Sequence, residues 1–173
     1  MTENWREILN NWFKCCIPLL VSVLWEMIVH IPLKMEIGGN ARPMMGLMCV
    51  YFWIIYRPDI FNLAVVFIFA LICDLLSLAP LGVYLFMYLI MFLTVSNLVK
   101  YVNEKTFKIL WIGLIVLLLP IMLAGWLMMC VYYAEILPLK SLFFSYLFSI
   151  SLYPIVGGIN AFIVNRFMQE DNR

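Results

Sequence analysis

The sequence predicts an all-helical membrane protein, a single integral domain over residues 1–173 folded as a bundle of about six transmembrane helices. Three observations predict it. Hydrophobic residues make up 66% of the chain and charged residues 12%, with a mean hydropathy of +1.02; this is the composition of a chain solvated by lipid. The few charges gather in short clusters between long apolar runs. Those runs, at roughly 20 residues for each crossing, use up the available length and leave no room for a soluble domain.

The N-terminal residues Trp5, Ile8, Leu9, Trp12 and Phe13 recur at helical spacing, with Glu3, Arg6, Glu7, Asn10 and Asn11 on other faces. This pattern reads as a short amphipathic helix in the headgroup region, or as an aromatic collar continuing into the first span. The first span covers about 15–33. It holds Glu26 and His30 and lacks an exit of small residues, so it reads as an uncleaved signal anchor. A polar loop, Lys34 to Pro43, follows.

The second run, 44–56, is short for a bilayer. The turn Arg57-Pro58-Asp59 separates it from the third, 60–76, with Pro58 expected in the first turn of that helix. An uncharged turn with Pro80 and Gly82 leads into the fourth span, 83–99, and the charged loop Lys100 to Lys108 comes next. The fifth span, 109–133, contains Pro120 and Gly125 and is expected to kink there. The sixth, 141–164, contains Pro154, Gly157 and Gly158.

Charge placement sets the expected orientation. With six crossings, Arg6, Lys14, Arg57, Lys100, Lys105, Lys108, Arg166 and Arg173 fall on one side, and Lys34, Arg42 and Lys140 on the other. The positive-inside rule then puts both termini in the cytoplasm. A net charge of +1 with no concentrated basic surface argues against nucleic acid. Cys15, Cys16, Cys49, Cys73 and Cys130 lack metal-ligand spacing and read as small apolar filler.

Few residues have the chemistry for a site. Glu26 and His30 share a helical face in the first span. A carboxylate in lipid is costly, so Glu26 should face protein, as a socket for a partner helix, as a proton-linked site, or simply solvated by His30. Asp74 near the end of the third span is placed to cap the following turn or the next helix's N-terminus. Ser145, Ser149, Tyr153, Gly157 and Ala161 recur every four residues along the sixth span. Such a stripe is either internal packing or a docking face, and Asn160 beside it suits an interhelical hydrogen bond. No phosphate loop, zinc pair or nucleophile elbow occurs, so neither an enzyme nor a cofactor or metal site is expected.

Between Arg42 and Gly82 the chain resembles the bacterial rod shape-determining MreD family. Arg42-Pro43 opens the second span, Tyr51, Phe52 and Trp53 form an aromatic cluster within it, and Asp74-Leu75-Leu76 precedes Pro80-Leu81-Gly82. The resemblance implies a non-enzymatic subunit of the cell-elongation complex in the bacterial inner membrane. It would bind MreC and work alongside RodA, a class B penicillin-binding transpeptidase, RodZ and MreB. The family fold is similar to the substrate-binding subunits of energy-coupling-factor vitamin transporters. That similarity implies a second possibility, a vitamin-binding membrane subunit using Lys34 to Pro43 and Trp126.

Overall fold

The computed structural model describes residues 17–29, 41–77, 79–99 and 106–167. Six helices are present there: α1 (Ile17–Val29), α2 (Met45–Tyr56), α3 (Leu63–Leu76), α4 (Val83–Leu98), α5 (Phe107–Tyr133) and α6 (Leu139–Phe167). No strand occurs among the described residues. Each helix lies within or closely around one of the predicted apolar runs. The N-terminal amphipathic segment, His30, the loop residues 34–40 and 100–105, Cys15 and Cys16 lie outside the described residues.

The hub of the bundle is α2. Every residue from Gly46 to Ile55 is buried, and α2 packs against α4, α5 and α6. A helix that is apolar all round finds such an enclosed position, whereas the outer helices need cover on one side only. Their other faces carry exposed Ile68 and Leu75 on α3, Val116 on α5 and Phe162 on α6, a surface suited to lipid chains. With 12 residues, α2 is about 18 Å long at about 1.5 Å per residue, well under a hydrocarbon core of about 30 Å. By length and apolarity alone, only α5 and α6 suffice for a crossing among the described residues.

The helix ends follow local chemistry, with one departure from expectation. Arg57 stops α2 ahead of Pro58, its N–H bonding back to the Trp53 carbonyl at 2.8 Å. Pro58 does not open α3. The Ile60 and Phe61 N–H groups both turn back to the Arg57 carbonyl, Phe61 stacks on Trp53, and α3 begins only after Asn62. That residue's side chain accepts from the Val65 N–H at 3.0 Å, a stronger start signal than the proline.

Both long helices run through their prolines. In α6, Pro154 has no N–H for the Ile150 carbonyl one turn earlier. The Trp111 indole N–H of α5 supplies the missing donor at 3.2 Å. In α5, which continues through Pro120, the Tyr146 hydroxyl donates to the Ile115 carbonyl at 2.9 Å. A neighbouring side chain thus re-satisfies the carbonyl freed at Pro154, as lipid requires, while the bond at Ile115 lies one residue before the carbonyl freed by Pro120.

Candidate functional site

The polar residues of the bundle concentrate around the N-terminal ends of α2 and α4. A short helix that begins inside a bundle leaves its first N–H groups without water or intrahelical partners. Side chains from α1 and α6 meet that need at α2. The Ser145 hydroxyl accepts from the Arg42 N–H at 3.0 Å and the Ser149 hydroxyl from the Met44 N–H at 2.9 Å. Ser149 also donates to the Ser145 carbonyl. The spacings match: two non-helical residues reach up to about 7 Å, and side chains four apart on a helix lie about 6 Å apart.

Glu26 completes this end. Only 4% of it is exposed, and its Oε2 accepts from the Gly46 N–H at 3.1 Å and the Tyr88 hydroxyl at 3.4 Å. Gly46 makes the approach possible, because a Cβ there would overlap both the carboxylate oxygen and the tyrosine hydroxyl. Tyr88 is in turn fixed edge-on against Phe69 of α3.

Asp74 performs the equivalent task for α4. It is 2% exposed. Its Oδ1 accepts from the Tyr84 N–H, and its Oδ2 from the Gly82 and Leu85 N–H groups, at 2.9 to 3.1 Å. Gly82 adopts a φ of +102°, in the left-handed region where glycine is favoured. The Pro80-Leu81-Gly82 turn therefore brings α4's first N–H groups onto the last turn of α3, and one carboxylate ties them together.

The α6 stripe lies inside the bundle over most of its length. Ser145, Ser149, Tyr153 and Gly157 are buried and Ala161 is half-buried against the core. At Gly157 the close neighbour is the ring of Phe107, 3.3 Å from where a Cβ would sit, and that ring stacks on Tyr153. Asn160 donates to the Cys49 sulfur at 3.3 Å, while its carbonyl oxygen is buried without a partner among the described residues.

The family-like residues have distinct places. Tyr51 donates to the Leu110 carbonyl at 2.9 Å, where Gly113 lets its hydroxyl come close. Trp53 is fully buried, with no acceptor for its indole N–H among the described residues. Arg42, Asp74 and Gly82 enter the bonds above, Pro43 sits between the two N–H groups held by the serines, and the Pro80 carbonyl accepts from Val83.

Sequence reasoning missed Gly46, Tyr88, Trp111 and Tyr146. A glycine two residues into an apolar helix was the available signal for Gly46. The others depend on which helices become neighbours.

A cavity of about 610 Å³ opens beside this polar end, between α4, α5 and α6. Arg42 and Lys140 lie on its wall together with Tyr84, Met87 and Trp126. Among the described residues no group of three His, Cys, Asp or Glu side chains is placed to hold a metal, and Cys49, Cys73 and Cys130 are free thiols. The side chains at this end bond backbone N–H groups.

No curated protein and no solved structure matches the chain. The family model described as rod shape-determining protein MreD matches residues 6–164, which takes in both polar helix ends and nearly all of the bundle. The chain therefore belongs to the MreD family of rod shape-determining membrane proteins.

Proposed function

We propose that this chain is a non-enzymatic scaffold of the bacterial cell-elongation complex, binding MreC and helping to organise peptidoglycan synthesis. RodA, a class B penicillin-binding transpeptidase, RodZ and MreB are its further partners in the complex. The observation that supports this most is the use of the two buried carboxylates: Glu26 and Asp74 both bond backbone N–H groups at helix starts. A bundle pinned in this way holds its outer helix faces in fixed relation and offers them to the spans of partner proteins.

The reading includes six crossings in the inner membrane with both termini cytoplasmic, as the bias of basic residues favours. Local thinning of the bilayer accommodates the shorter helices. It also includes an architecture like that of the substrate-binding subunits of energy-coupling-factor transporters. A second reading, a vitamin-binding subunit of such a transporter, has the cavity beside Trp126 in its favour.

Affinity capture of the chain from native membranes, with proteins and small molecules identified together, separates the two. Recovery of MreC in near-equal amount is the expected result. A vitamin held tightly in the absence of MreC would favour the transporter subunit and reject the scaffold.

A further inference from the structure

The cavity has a chemistry that the scaffold role does not use. Its inner wall includes Met44, Met87 and Met122, and two cations, Arg42 and Lys140, stand on its rim, with no carboxylate lining it among the described residues. We infer that it is a binding site for one membrane lipid with an anionic headgroup, the acid at Arg42 and Lys140 and a chain among the methionines.

Size narrows the occupant first. Ligand sites commonly measure about 300–1,000 Å³, and about 610 Å³ falls in that range. A transmembrane helix about 30 Å long and 10 Å across fills on the order of 2,400 Å³, so a partner's span does not fit inside. Flexible thioether side chains accommodate an irregular apolar guest such as a lipid chain.

Charge narrows it further. Neither cation is paired with a carboxylate among the described residues; Lys140 instead stands over the Phe144 ring, 6.0 Å from its centroid. Guanidinium and ammonium groups together suit a phosphate. Trp126, also on the wall, has a buried indole N–H with no acceptor among the described residues. The residues lining the rim come from segment 41–44, the connections after α3 and α5 and the first turn of α6, at the end of the bundle where headgroups would lie.

The site is independent of partner binding, so its failure would leave the scaffold reading untouched. The test uses the full chain, stripped of lipid in a neutral detergent, and reads the fluorescence that disappears in Trp126→Phe. Phosphatidylglycerol with brominated chains is titrated against brominated phosphatidylcholine, with glycerol 3-phosphate as a water-soluble competitor.

Phosphatidylglycerol is expected to quench Trp126 with half-saturation at least about tenfold lower than phosphatidylcholine. Arg42→Gln with Lys140→Gln should remove that preference, and the exposed Lys140→Gln alone should weaken it severalfold without altering thermal stability. Equal quenching by both lipids would overturn the proposal. So would a preference that survives both neutralising substitutions, or competition by glycerol 3-phosphate as strong as that of the lipid.

Discussion

Single side chains act here mainly as acceptors for backbone donors, and their removal should be felt as lost stability. Asp74→Ala leaves three N–H groups at the start of α4 without their acceptor. At about 1 kcal/mol or more for each buried unpaired donor, a loss of about 3 kcal/mol is expected in an unfolding titration in detergent or bicelles. Asp74→Asn keeps an acceptor oxygen and should lose about half as much. Gly46→Ala should destabilise by about 1–3 kcal/mol through overlap with Glu26 and Tyr88. Combining it with Tyr88→Phe, which removes one overlapping atom, should cost less than the sum of the two singles; strict additivity would contradict the contact. The capping role of Asp74 was legible in the sequence because donor and acceptor are separated by one short turn. Glu26 was legible only as a residue that must face protein. Its partner, Gly46, is twenty positions away, and no local periodicity relates the two.

At the level of elements, the apolar runs located the helices, because lipid leaves a chain little choice but to satisfy its backbone within each segment. What they did not locate was the start of α3, where Asn62 overrides the proline four residues earlier. Nor did they show that the serines of α6 serve the backbone of residues 42 and 44, more than one hundred positions away. Four-residue spacing marks a face without saying what lies opposite. The link between Trp111 and the carbonyl freed by Pro154 gives a test at this scale. Trp111→Phe should destabilise the wild-type chain by about 1 kcal/mol and have a smaller effect in Pro154→Ala, where Ile150 regains its intrahelical donor. An equal effect in both backgrounds, measured as a double-mutant cycle, would rule the link out. The C-terminal end of α5 offers a change in the opposite direction. Ala134 holds a φ of +53°, so Ala134→Gly should raise stability by about 1 kcal/mol.

For the whole molecule, the hydropathy and the resemblance between Arg42 and Gly82 were enough to indicate the family, while the inner arrangement around α2 was not, because it depends on contacts between all parts of the chain. Orientation is tested by a single cysteine at position 105, which should react with a membrane-impermeant label only after the cytoplasmic side is opened; labelling of intact cells from the periplasmic side would reverse the assignment. In the proposed scaffold the role of the buried carboxylates is to hold the bundle together, without contacting partners or performing chemistry. Its most direct test is the amount of MreC captured per folded molecule, measured for the wild type, Glu26→Ala and Asp74→Ala, with folded protein quantified by size-exclusion fluorescence. Folded protein should decrease in both variants while MreC per folded molecule stays at the wild-type value. Normal folded abundance with MreC capture lost in either variant would contradict it.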